Sequence, residues 1–152
     1  MTDLVERLKL SNARQFKPYS MYKPSGVEWL GDVPEQWGVK KLRYIARLKS
    51  GENITTEEFD DAGAYPVFGG NGVRGCSSRF THDGTFVLIG RQGALCGNVN
   101  YASSKFWASE HAVVVSPRTE LATVWMGELL RTMMRSNSST TVYSVSTPAR
   151  ST

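Results

Sequence analysis

Between residues 65 and 116 the chain alternates short β-prone runs with glycine, and this texture restricts its fold more than any other feature. The runs YPVF, TFVLIG, GNVNYA, KFWAS and HAVVVS are rich in Val, Phe, Tyr and Trp, residues that fit a pleated, half-buried surface. GGNG, HDG and RQG between them supply turn residues. FVLI and AVVV are unbroken apolar stretches, which places them as central strands buried on both faces. Pro66 in the first run argues against a central position for that strand, because proline cannot donate to a ladder.

The flanking sequence reads differently. From Glu120 to Arg135 the 3–4 spacing of Leu121, Val124, Trp125, Leu129 and Met133 predicts an amphipathic helix, with Glu120 and Glu128 pointing outward. Upstream, Leu4, Val5 and Leu8 share one face of a short helix, followed by a polar tether containing Pro18 and Pro24. Asp32–Glu35 reads as a one-turn helix start with proline near its first position, and Trp29, Trp37, Leu42 and Ile45 are core anchors. The tail SNSSTTVYSVSTPARST is poor in large apolar groups and reads as irregular or disordered. The expectation is an α+β fold, a mixed or barrel-like β-sheet with a few flanking helices. Its parts are a helix and tether over 1–24, a globular domain over 25–135 and a tail over 136–152. A chain of 152 residues with 16 aromatics can bury a core without staples. No apolar run approaches a membrane span, and the N-terminal MTDLVERLKL lacks the apolar centre of a signal peptide. Cys76 and Cys96 then read as free thiols in a reducing cytoplasm.

The motifs that would carry chemistry are weak. Gly70, Gly72 and Gly75 match G-x-G-x-x-G, but the polar stretch after Gly75 offers no helix N-terminus to hold a pyrophosphate and no acid at the required distance. Cys76, His82, Cys96 and His111 are plausible metal ligands without the short paired spacing of structural zinc sites. Cys96 with His111 lacks an orienting acid or an oxyanion hole. There is no phosphate-loop lysine and no nucleophile elbow. The reading is a protein without metal, cofactor or catalytic set, hence not an enzyme.

Charge points elsewhere. The formal net charge is +4, and Lys40, Lys41, Arg43, Arg47 and Lys49 fall within ten residues that contain no acid. That run is either a phosphate-facing edge or a solvated face. Arg74, Arg79, Arg91 and Lys105 are spread through the glycine-rich half. Such a balance is compatible with nucleic acid.

Four stretches in order, YKPSGVEWLGDVPEQWGVKKLRYIARLKSG, YPVFGGNGVRG, VLIGRQGALCGNVNY and KFWASEHAVVV, resemble a target recognition domain of the specificity subunit of type I restriction–modification systems. The resemblance covers about residues 19–133. It implies a non-catalytic module that reads one half of a bipartite sequence in double-stranded DNA, in a subunit that assembles with methyltransferase and restriction subunits. It also implies that Gly69, Gly70, Gly72 and Gly75, with Gly90 and Gly93, shape loops whose backbone approaches the duplex. Asn71, Arg74 and Arg91 become candidates for reading base edges or holding phosphates, Gln92 a further candidate DNA contact, and Arg79 and Lys105 candidate phosphate contacts. GGNG is equally a plain hairpin turn. The family's second recognition domain and long spacer helix do not follow in this sequence, which reads as a truncated subunit and argues against methyltransferase binding by this chain. The alternative is an inert remnant or interaction domain with the same fold and no specific DNA binding.

Overall fold

The computed structural model describes residues 18–91, 96–118, 122–135 and 143–146, and the chain divides at Trp37/Gly38 into two compact units. In the first unit β1 (Tyr22–Pro24) pairs antiparallel with β2 (Asp32–Pro34). Asp32–Pro34 is therefore extended, where the proline was expected to open a helix. Pro34 ends the strand, and the Trp37 N–H bonds the Pro34 carbonyl across the turn that follows. Trp29 and Trp37 are half-buried. The expected boundary at 24/25 falls inside this unit, and the expected helix at residues 4–8 lies outside the described residues.

The second unit begins with β3 (Gly38–Lys41), a single helical turn α1 (Leu42–Ile45) and β4 (Ala46–Ser50). A 3-10 turn over Thr56–Glu58 leads to β5 (Tyr65–Gly69) and β6 (Gly72–Ser77). Then come β7 (His82–Asp83), β8 (Phe86–Gly90), β9 (Val99–Ala102), β10 (Lys105–Ala108), β11 (Ala112–Pro117) and the helix α2 (Thr123–Arg135). One sheet has the order β6-β5-β10-β7 and a second β4-β11-β8-β9. Every pairing is antiparallel except β5 with β10, so the architecture is α+β with a mixed sheet, as expected. FVLI and AVVV are adjacent interior strands, β8 and β11.

Pro66 does not exclude β5 from an interior position. The β10 ladder joins β5 only at Val67 and Phe68, past the residue that lacks a donor. Tyr143–Ser146 form β12, antiparallel to β3. A serine-rich composition suggested irregular chain there, but Tyr-Ser-Val-Ser alternates with the period of a strand.

The two sheets face each other across a core of Phe68, Phe106 and Ala108 from one and Leu88, Ala102 and Val114 from the other. Phe106 is fully buried, which contributes about 1.5–3 kcal/mol for a side chain of this size. His82 lies flat on Phe106, ring centroids 5.3 Å apart, and bonds Thr81 Oγ1 through Nδ1 at 2.7 Å. Burial holds its pKa below the ordinary histidine value, with Lys49 adding to the effect and Glu52 opposing it.

Helix α2 packs on β8 and β9. It buries Met126, Gly127, Leu130 and Met133, a face rotated from the expected one. Val124 is left 65% exposed. Gly127 decides the rotation. The Tyr101 hydroxyl rests against it and donates to the Val124 carbonyl (3.2 Å) or the Glu128 carboxylate (2.9 Å). Only a residue without a side chain lets the tyrosine lie there.

Candidate nucleic-acid interface

The strand ends on one side of the second unit carry a continuous set of polar contacts. Gly69 opposes Gly72 across the β5–β6 hairpin. The left-handed backbone lies at Gly72 (φ +94°), the pattern of a type I turn closed by glycine. Gly70, Gly72 and Gly75 are thus parts of an antiparallel hairpin and not of a strand-to-helix turn. At the exposed tip the Asn98 side-chain amide donates to Asn71 Oδ1 at 3.0 Å. The Asn98 carbonyl accepts the Gly90 N–H at 2.8 Å, and the next residue, Arg91, gives its N–H to the His111 carbonyl at 3.0 Å. The exposed Arg91 guanidinium donates to Ser50 Oγ at 3.1 Å. Asn71, Asn98, Arg91, His111 and Ser50 form one hydrogen-bonded rim. Ser50 ends β4, so Arg91 also adjoins the basic run that closes with Lys49. Gln92 and Gly93 lie outside the described residues.

Arg74, Arg79 and Lys105 occupy a different surface, the outer face of the β6-β5-β10-β7 sheet. Val67 and Trp107 are paired there and pack with Ile54 and Phe59. The register passes from Val67↔Gly75 to Phe68↔Val73, leaving Arg74 as the extra residue of a β-bulge, a device that re-aims a side chain. Its guanidinium lies over Phe59, 5.5 Å from the ring centre. Gly75 makes room for the same ring, since a Cβ there would sit 2.7 Å from Phe59 Cδ1. Arg79 lies over Trp107 at 5.5 Å and pairs with Glu58 at 3.2 Å. Glu58 accepts the Thr55 N–H in a capping box, which holds its pKa below the usual carboxylate range. Lys105 lies two residues before Trp107, hence on the same face, with Nζ 4.8 Å above Phe80. Each of the three cations rests on an aromatic ring, an arrangement that fixes its position while leaving the charge solvated. Arg74, grouped with Arg91 by residue type, is placed by the fold with Arg79 and Lys105.

Sequence reasoning missed Asn98 and Ser50, and it weighed His111 only as a ligand or base. The signal available was polar residues immediately flanking β-prone runs, which is too common to single them out. Cys76, His82, Cys96 and His111 lie on β6, β7, the turn before β9 and the β10–β11 turn. Among the described residues no three His, Cys, Asp or Glu are grouped to hold a metal. None of the described helices is long and apolar enough to cross a membrane.

Comparison with known proteins identifies the family and the fold. Residues 34–147 match the family model described as the type I restriction modification DNA specificity domain. The chain belongs to that family. One relative of this specificity domain, the type I restriction enzyme EcoprrI specificity subunit of Escherichia coli, is 39% identical over 122 residues, 77% of this chain and 30% of that protein. Among solved structures, the HsdS subunit from Thermoanaerobacter tengcongensis has a TM-score of 0.61 at 16% identity, covering 97% of this chain and 39% of that one. The S subunit of the type I restriction–modification system from M. genitalium has a TM-score of 0.58 at 20% identity, covering 66% and 27%. At such identities the solved structures speak to the shared fold. The specificity domain described here spans well under half the length of these relatives.

Proposed function

We propose that this chain is a non-catalytic DNA-recognition module, with the second unit, which begins at Gly38, as the part that reads one half of a bipartite double-stranded site in the cytoplasm. The observation that carries the proposal is the rim at the strand ends. Asn71 and Arg91 are exposed, pre-positioned by Asn98 and Ser50, and lie within the family-matched segment. Arginine and asparagine are the side chains that form paired hydrogen bonds with guanine and adenine edges in the major groove. Arg79 and Lys105, displaced onto the outer sheet face, suit phosphate contacts, which position a protein without specifying sequence. Arg74 shares that face and with it the phosphate role. Methyltransferase and restriction subunits are the partners expected of the longer relatives.

The test is selection from a random duplex library, followed by titration of the selected duplex at two salt concentrations. Binding by this one unit should fall near the non-specific range, about 10⁻⁴–10⁻⁶ M at physiological salt. Arg91→Ala should cost about 1–3 kcal/mol on the selected duplex and little on others. Lys105→Ala should weaken all duplexes alike and flatten the salt dependence. Wild type and Arg91→Ala binding every duplex equally would refute base reading and favour the same fold without specific DNA binding.

A further inference from the structure

Beside the hairpin tip an open pocket of about 530 Å³ lies between Asn71, the turn into β9 and the last turn of α2. Its polar wall is Asn71, Asn98, Arg131 and Arg135, its remaining lining includes Cys96 and Met134, and among the described residues no carboxylate lines it. The two arginines are one helical turn apart on one face. Arg131 is held from three sides. It pairs with Glu128, donates to the Val99 carbonyl at 3.1 Å and lies over the Tyr101 ring at 5.8 Å. Glu128 offsets its charge, so the net positive charge of the pocket rests on the exposed Arg135. Among the described residues Arg135 makes no salt bridge, and it acts on Glu128 through space. The Asn98–Asn71 bond consumes one donor and one acceptor, and among the described residues the Asn71 amide has no acceptor of its own.

We propose that this pocket holds a backbone phosphate of the same DNA whose bases meet the rim, with Arg135 as the phosphate ligand, Arg131 as the fixed wall and Asn71 as the link to the reading edge. The inference rests on the function proposed above. It assigns DNA contact to the last turn of α2. Planar guanidinium groups suit phosphate oxygens, and a side chain already immobilised loses less entropy on binding.

Cys96, exposed at the pocket wall, provides a reporter. The full chain, with and without a saturating concentration of its selected duplex, is treated with a thiol reagent, and the Cys96 peptide is quantified by mass spectrometry. Arg135→Ala is titrated in parallel across salt. The expected result is slower labelling of Cys96 in the complex, and a salt slope for Arg135→Ala shallower by about 0.9, the loss of one phosphate contact. If wild type binds the duplex while Cys96 labels at the free rate and the slope is unchanged, the pocket assignment fails alone. If wild type binds no duplex, the DNA-recognition reading fails and takes this inference with it.

Discussion

Gly127→Ala should destabilise the protein by about 1–2 kcal/mol even though alanine is the better helix former. A Cβ at position 127 would stand within 2.5 Å of Oη, Cε1 and Cζ of Tyr101, far inside contact distance. The tyrosine can yield only by swinging off the helix, which forfeits the hydroxyl's single donated bond, to the Glu128 carboxylate or the Val124 carbonyl. One hydrogen bond to a charged group contributes about 1.5–3 kcal/mol. The helix-propensity gain of alanine over glycine, about 0.8–1.0 kcal/mol, offsets part of this. Urea denaturation would read the difference directly, and Tm should fall by roughly 2–8 °C for a chain of this size. The decisive control is a Tyr101→Ala background. There the same substitution should become stabilising by about 0.8–1.0 kcal/mol, because nothing remains to oppose the propensity gain. Stabilisation by Gly127→Ala in the wild-type background would show that Tyr101 is not seated on the helix and refute the reasoning.

Two further outcomes follow from packing and titration. Gly51→Ala should be more damaging than Gly127→Ala, because its Cβ would lie within 2.5 Å of backbone atoms of Ala108 and Ser109, which cannot swing aside; a loss of about 3 kcal/mol or more in urea melts, or failure to fold, is expected. His82 has a folded pKa depressed mainly by burial, so protonation favours the unfolded chain. Its contribution is complete above about pH 6.5 and is lost as pH falls through the folded value. The Tm of wild type should therefore decline from neutral toward pH 5, and His82→Phe should flatten that decline.

What the sequence made legible was periodicity. FVLI and AVVV read as central strands because unbroken apolar runs need cover on both faces, and β8 and β11 have it. The helix over 120–135 was equally plain in type, yet its buried face was misassigned. Val124 fits the apolar spacing, but the contact that orients the helix is made by Gly127, whose importance lies in the side chain it lacks. Proline gave the wrong inference twice. At Pro66 the missing donor falls before the parallel ladder begins, and at Pro34 the fixed backbone suits a strand end as well as a helix start. For the candidate site, residue type pointed to Asn71, Arg91 and the three outer cations as candidates. Their division into a rim and a face was not legible, because it depends on the bulge at Arg74 and on side-chain bonds between residues as far apart as Ser50 and Arg91.

The pairing of β3 with β12 sets Gly38 opposite Ser146 and Lys41 opposite Tyr143, so the backbone enters and leaves the second unit side by side, roughly 5 Å apart. A unit with neighbouring entry and exit points is a cassette. Recombination that cuts at those two points can move the whole rim, with its supporting core, from one host chain to another without changing the spacing of what lies on either side. On the proposed function, one such exchange would carry in a different set of base-reading side chains, while point changes at the exposed strand ends would adjust the reading without disturbing the buried sheets.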